Sequence, residues 1–122
     1  MKIMVVDDHA AFRRVVVMQL QTVGAEIVEC GDGQEAVAQY PQFLPDIVLM
    51  DIAMKGLDGL GATAQIKARF PGARIFMLTE YDDADLREAA LRAGACGYLL
   101  KENLSQLQAL LRPPPPAPEV KS

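Results

Sequence analysis

Five side chains that can bind cations or phosphoryl groups stand at the ends of short apolar runs in this sequence. Asp7 and Asp8 follow the first run, Asp51 the third, Thr79 the fourth and Lys101 the fifth. Three clustered carboxylates repel one another unless a cation lies among them, and an oxygen-only donor set suits Mg²⁺ or Mn²⁺ rather than zinc. The pattern therefore predicts a divalent metal site, provided that the fold brings these run ends together.

The same residue types also suit phosphoryl chemistry. A metal ion at such an edge neutralises charge on phosphoryl oxygens, while the Thr79 hydroxyl donates a hydrogen bond and the Lys101 ammonium supplies a positive charge. Carboxylates form acyl phosphates. Asp51 is the geometrically reasonable nucleophile because it follows the middle strand of the predicted sheet.

The apolar runs alternate with segments of helical spacing. Five runs indicate strands: 3–6, 25–30, 47–50, 74–78 and 98–100. Four segments between them have amphipathic helical periodicity, and Leu104, Leu107, Leu110 and Leu111 predict a short last helix. Near-continuous apolar strands are typical of parallel sheets buried on both faces, and consecutive parallel strands need crossover helices. We therefore expect a doubly wound α/β domain, whose ligands bind at the carboxyl ends of the strands.

The chain divides into one domain and a short tail. We expect the domain to cover residues 1–112, because Pro113–Pro116 and Pro118 stop the last helix. Residues 113–122 form a proline-rich tail or linker, with a polyproline II spacer as the expected conformation. A linker toward a missing output domain or a frayed end is favoured over a docking peptide.

Composition excludes several classes of function. The 122 residues carry a net charge of −4, so direct nucleic-acid binding by this segment is not expected. No apolar run approaches a membrane span, and no signal peptide fits the start, so we expect a cytoplasmic protein with no membrane contact. The distant Cys30 and Cys96 fit neither a zinc site nor a disulfide framework, and both are expected to be reduced core residues.

Four motifs, in order and at strand ends, resemble the receiver domain of response regulators over essentially all of residues 2–112. They are Val5–His9, Leu49–Met54 with Gly56–Gly59, Leu78-Thr79, and Gly94–Lys101. The Asp-His start and the Gly-Tyr-Leu-Leu-Lys segment are most similar to the subfamily that usually carries a C-terminal helix-turn-helix DNA-binding domain. The resemblance implies a flavodoxin-like, five-stranded parallel sheet of strand order 2-1-3-4-5.

The resemblance also implies a role for each matching residue. Asp51 would accept a phosphoryl group from a sensor histidine kinase or a small phosphodonor, and Thr79 and Lys101 would contact the phosphoryl oxygens. Asp8, Asp51 and the backbone carbonyl of Ala53 would bind Mg²⁺ or Mn²⁺, with Asp7 acting through water.

In such proteins, phosphorylation shifts an equilibrium between inactive and active states. Thr79 moves toward the phosphate and the side chain at Tyr98 turns inward, which alters the surface that controls an output domain or a downstream protein. A homodimer is left open as a further partner. The protein would then be no turnover enzyme, but a phosphoacceptor that takes part in its own phosphorylation and dephosphorylation.

The sequence departs from the family pattern around the site. Lys55 and Glu102 replace two common prolines, and Glu80 adds a carboxylate next to Thr79. Ala53 and Tyr81 occupy positions that influence hydrolysis in the family, so the lifetime of the phosphorylated state is not predicted.

Simpler interpretations and rival functions stand beside this one. Asp7 and Asp8 could cap a helix, and Tyr98 could be plain core. His9 is expected to line the edge of the site or to be a surface residue, with no role as base or ligand. A Mg²⁺-dependent phosphohydrolase would need a cap domain and a second aspartate at position 53, which is Ala53. A receiver-like interaction module that phosphorylation does not regulate is the alternative that remains.

Overall fold

Strands and helices alternate strictly along the chain in the computed structural model, which describes residues 1–111. The strands are β1 (Lys2–Val6), β2 (Glu26–Cys30), β3 (Ile47–Met50), β4 (Ile75–Thr79) and β5 (Gly97–Leu100). The helices are α1 (Ala10–Gln21), α2 (Gly33–Phe43), α3 (Gly59–Arg69), α4 (Ala84–Ala93) and α5 (Leu107–Leu111), with a 3-10 helix at Lys101–Gln106. The proline-rich tail predicted for residues 113–122 lies outside the described residues.

All five strands are parallel and form one sheet in the order β2-β1-β3-β4-β5. The predicted order 2-1-3-4-5 is therefore confirmed. Because the strands are parallel, the carboxyl ends of β1, β3, β4 and β5 lie at the same edge, and the chain winds away from β1 in two directions, which opens a crevice there. That edge receives every residue predicted to do chemistry.

Two apolar cores cover the two faces of the sheet. On one face, alternate strand residues such as Met4 and Met50 pack with residues of α2, α3 and α4. On the other, Ile3 and Leu49 pack with residues of α1 and α5. Burial on both faces explains why β1, β3 and β4 are almost continuously apolar, whereas the edge strand β2 carries two exposed glutamates.

The starts of three helices are set by aspartate side chains. Asp32, Asp58 and Asp83 cap α2, α3 and α4, each accepting a backbone N–H bond with its side chain. Gly94 ends α4 at φ 106°, a left-handed conformation that suits glycine. In the described part of the chain, no helix combines the length and the apolar character needed to cross a membrane.

Two expectations need correction. Cys30 is buried as expected, but Cys96 is exposed, because it lies in the turn before β5 rather than in the strand. The segment after Lys101 begins as a 3-10 helix with a kink at Asn103, and regular α-helix begins only at Leu107. The leucine spacing of this segment still places Leu107 and Leu111 in the core.

Gly59 allows α3 to start directly against the end of β3. A Cβ atom at this position would lie 2.0 Å from the backbone oxygen of Asp51, and the Gly59 N–H donates to the Ile52 carbonyl at 2.9 Å. No substituted side chain fits this contact without moving the backbone that carries Asp51.

We predict that Gly59→Ala lowers the free energy of unfolding by about 1–3 kcal/mol, the usual result of forcing extra volume into a packed site. Gly72→Ala is the control, because a Cβ there meets no atom within 4 Å. Urea unfolding followed by far-ultraviolet circular dichroism measures both. Equal midpoints for the two variants would contradict the proposed contact.

Candidate functional site

The candidate site lies where four strands end. Asp7 and Asp8 directly follow β1, Asp51 follows β3, Thr79 is the last residue of β4, and Lys101 follows β5. Hydrogen bonds across neighbouring strand ends hold this edge together: the Asp51 N–H donates to the Val6 carbonyl at 2.9 Å, and the Asp7 N–H donates to Cys30 at 3.1 Å.

A buried ammonium between two buried carboxylates forms the centre of the site. Lys101 Nζ lies 2.8 Å from Asp7 Oδ2 and 3.5 Å from Asp51 Oδ2. The side chains of Asp7, Asp51 and Lys101 are each less than a tenth exposed. An ion pair this far from water is costly unless its partners are well oriented, so residues of three different strand ends are held in a defined arrangement.

The donor set fits a divalent cation. Within the described chain, one oxygen or nitrogen atom from each of Asp7, Asp8, Asp51 and His9 lies within 4.8 Å of the others. Asp8 is partly exposed, and its Oδ1 lies 3.1 Å from His9 Nδ1. Three carboxylates facing one ammonium leave excess negative charge, which Mg²⁺ or Mn²⁺ with oxygen ligands would balance. His9, expected from sequence to line the edge of the site or to be a surface residue, is exposed and borders this cluster.

Burial and neighbouring charge raise the pKa of Asp51 from 3.8 to about 6. Loss of hydration is the largest cause, the negative charge of Asp7 adds to it, and Lys101 opposes both. The single ammonium therefore does not offset the burial of so much negative charge. A further cation close to Asp51 would stabilise its ionised, nucleophilic form.

Two residues of α1 also reach this centre, although the sequence analysis did not assign them to it. The ring centroid of Phe12 lies 4.3 Å from Lys101 Nζ. Arg13 donates from its side chain to the backbone oxygen of Asp7 and pairs with Glu29 at 2.9 Å. The helical spacing of Phe12 with Val16 and Leu20 in the sequence indicates only that it faces inward. Its place in the first turn of the helix that follows Asp8 was the signal that could have placed it near the site.

Thr79 connects this edge to the surface formed by α4 and β5. Its side chain is fully buried, and its hydroxyl accepts a hydrogen bond from the Tyr81 N–H at 3.3 Å. The Tyr98 hydroxyl in turn donates to the Tyr81 carbonyl, and the Arg87 guanidinium stacks 4.6 Å from the Tyr98 ring centroid. Tyr98 is thus half-buried and bonded at its hydroxyl, rather than plain core.

Two open cavities flank the buried centre. One, of about 500 Å³, is lined by Asp8 and by three of the positions that depart from the family pattern, Ala53, Lys55 and Tyr81. The other, of about 460 Å³, is lined by His9, Phe12, Lys101 and the two added glutamates, Glu80 and Glu102. The first lies on the Asp8 side of the centre and the second on the Lys101 side.

The geometry thus brings together Asp7, Asp8, Asp51 and Lys101, as the sequence predicted. Ala53 lies beside Asp8 in the first cavity, and Thr79 ends the strand next to β3.

Comparison with known proteins identifies the family of this chain. Residues 3–112 match the sequence model described as the response regulator receiver domain. The oxygen regulatory protein NreC of Staphylococcus aureus (strain JH9) is 39% identical over 114 residues, which cover 91% of this chain and 52% of NreC. The transcriptional regulatory protein DegU of Brevibacillus brevis is 34% identical over 103 residues, covering 83% of this chain and 44% of DegU.

The chain thus spans about half the length of the curated relatives it matches. Among solved structures, the signal receiver domain of the response regulator NarL from Mycobacterium tuberculosis has a TM-score of 0.84 at 32% identity, over 90% of this chain and 92% of that one. The chemotaxis protein CheY4 of Vibrio cholerae has a TM-score of 0.84 at 27% identity, covering 90% and 94%. The chain belongs to the response regulator receiver domain family of two-component signalling proteins.

Proposed function

We propose that this domain is switched by phosphorylation of Asp51, with a sensor histidine kinase as the donor and small phosphodonors as substitutes. The observation that supports this most directly is the buried Lys101 ammonium held between Asp7 and Asp51. A carboxylate can act as the nucleophile toward phosphorus. The positive charge fixed beside it then stabilises the negative charge of the phosphoryl group in the product.

The chemical step transfers a phosphoryl group from an oxygen or nitrogen atom of the donor to a carboxylate oxygen of Asp51. An Asp51 carboxylate oxygen attacks phosphorus, the bond from phosphorus to the donor atom breaks, and the donor leaves with that electron pair. The Lys101 ammonium and the Thr79 hydroxyl then bind phosphoryl oxygens. Hydrolysis by water reverses the modification, so the domain takes part in its own phosphorylation and dephosphorylation without turning over an external substrate.

Asp8, Asp51 and the backbone carbonyl of Ala53 are proposed to hold Mg²⁺ or Mn²⁺, with Asp7 contributing through water. When bound, the ion neutralises charge that develops on the phosphoryl oxygens. Asp7 keeps Lys101 in place, since its Oδ2 pairs with the ammonium while its Oδ1 accepts the His9 N–H at 2.8 Å.

The output lies beyond the receiver. Since NreC and DegU are about twice as long as this chain and DegU is named a transcriptional regulator, we propose an output domain or downstream protein that controls transcription. The Thr79, Tyr81 and Tyr98 hydrogen bonds supply a path from the phosphoryl site to the α4 and β5 surface. We also propose a homodimer through that surface and a cytoplasmic location. The domain is proposed to end at residue 112, and residues 113–122 are proposed to act as a linker.

An interaction module that phosphorylation does not regulate would need none of this chemistry. The buried, mutually oriented set of Asp7, Asp51 and Lys101 favours phosphorylation, because an unused buried charge cluster only costs stability.

We predict that acetyl phosphate with Mg²⁺ adds one phosphoryl mass to the wild-type protein and none to Asp51→Asn. Intact mass spectrometry measures both, and hydroxylamine sensitivity identifies the product as an acyl phosphate. Asp85→Asn is the matched control, since Asp85 is exposed on α4, and it should be labelled like the wild type. Labelling of Asp51→Asn at the wild-type rate would refute the assignment of Asp51.

We predict that Mg²⁺ raises the melting temperature of the wild type and much less that of Asp8→Asn, because ligand binding to the folded state alone stabilises it. Asp85→Asn again serves as the control and should keep the full response. Differential scanning calorimetry with and without a chelator measures the shift. An undiminished shift in Asp8→Asn would remove Asp8 from the metal site.

The raised pKa of Asp51 predicts a pH-dependent stability in metal-free protein. Between its unfolded value of 3.8 and its folded value of about 6, the folded chain keeps a proton that the unfolded chain has lost, so the Asp51 contribution to stability falls as pH rises. Asp51→Asn should therefore raise the free energy of unfolding by about 1–3 kcal/mol near neutral pH. The gain should shrink to less than half near pH 4.5. Urea unfolding in the presence of a chelator tests this, and a gain of equal size at both pH values would contradict the raised pKa.

A further inference from the structure

The Lys101 ammonium has a third neighbour besides its two carboxylates. The aromatic ring of Phe12 lies 4.3 Å away, measured from Nζ to the ring centroid, which is within the range of a cation–π interaction. The Lys101 side chain is only 8% exposed, so this contact forms largely out of water, where such contacts are strongest. Phe12 lies in the first turn of α1 and packs against the core beneath α1 and α5.

Of the three contacts of the Lys101 ammonium, with Asp7, Asp51 and the Phe12 ring, only the contact with the ring is unchanged by phosphorylation. An ammonium has three N–H donors and no acceptor. In the proposed reaction, Asp51 becomes an acyl phosphate whose phosphoryl oxygens replace the free carboxylate as the partner of Lys101, and Asp7 comes under the charge of the metal ion, so both ion pairs of Lys101 change. The Phe12 ring keeps its face toward Nζ through each of these changes.

Competing partners for the ammonium line the cavity on the same side. Glu80 and Glu102 border the cavity of about 460 Å³ that Phe12 and Lys101 also line. Both glutamates are exposed. Without the ring, the ammonium would lose its contact on the α1 side, and water or these carboxylates could draw it away from Asp51.

We propose that Phe12 is a positioning residue for phosphoryl transfer: its ring holds the Lys101 ammonium at the phosphoryl site, in competition with the other partners that the cavity offers. This inference rests on the proposed phosphorylation of Asp51 and adds a residue of α1 to the site. It also explains why the lysine stays oriented although two acidic residues beside it offer other ion pairs.

The test compares rates of labelling by acetyl phosphate at saturating Mg²⁺. Phe12→Leu and Phe12→Met keep an apolar side chain but remove the aromatic face, and both should be labelled about three- to tenfold more slowly than the wild type. Phe12→Tyr keeps the face and should stay within about twofold of the wild type. Val16→Ala is the control for lost packing, because Val16 is fully buried on the same helix. It should lower the melting temperature without slowing the labelling of folded protein.

A double-mutant cycle separates positioning from packing. If Phe12 acts through the ammonium, Phe12→Leu should slow labelling less than about twofold in a Lys101→Ala background. The Mg²⁺ dependence of the melting temperature should stay near that of the wild type in Phe12→Leu, since no metal ligand is changed.

The outcomes keep the two proposals apart. Absence of labelling in the wild type would refute the proposed function itself. Wild-type labelling together with an unchanged rate in Phe12→Leu and Phe12→Met would overturn the role of Phe12 alone. The same follows if Phe12→Leu slows the Lys101→Ala background as much as it slows the wild type, or if Phe12→Tyr is as slow as Phe12→Leu.

Discussion

A single buried ammonium facing too many carboxylates is the constraint on which this structure depends. Lys101 is the one cationic side chain paired with Asp7 and Asp51 among the described residues, and Asp8 adds a third carboxylate nearby. The pKa of Asp51 is raised because burial and Asp7 outweigh the lysine. A site in this condition is stabilised by any added positive charge, and a metal ion is the usual means. The repulsion that destabilises the cluster without a cation is therefore the same interaction that favours binding of a cation.

The parallel sheet makes this cluster possible. Asp7, Asp51 and Lys101 are separated by dozens of residues, yet each is the first residue after a strand, and neighbouring strands keep a fixed register. Because both sheet faces are packed, a strand that slipped by one residue would exchange the side chains of its two faces and draw the polar residue at its end into the sheet. The same packing therefore stabilises the fold and sets the positions of the charges. Gly59 adds to this, because it lets α3 approach the backbone oxygen of Asp51.

The sequence predicted the features that follow from chain periodicity. Apolar runs separated by helical segments indicate a parallel sheet, and the rule that ligands bind at the carboxyl ends of strands then groups Asp8, Asp51 and Lys101. It did not predict features that depend on side-chain orientation across elements. Helical spacing placed Phe12 on an inward face but could not show that its ring meets Lys101. Cys96 was wrongly expected in the core, because it lies in the connection between α4 and β5, where residue type alone does not show which side chains face the interior.

Charge balance also links the metal ion to the phosphoryl group. A dianionic phosphoryl group at Asp51 enters a cluster that already holds excess negative charge, so it would be strongly disfavoured without a cation and strongly favoured with one. Coupling between two ligands is reciprocal, so a phosphorylated Asp51 must raise the affinity for the metal by the same factor by which the metal favours phosphorylation. The Lys101 ammonium takes part in both equilibria because it is shared between Asp7 and Asp51. A side chain that fixes the position of this ammonium therefore affects phosphorylation without contacting the phosphoryl group or the metal.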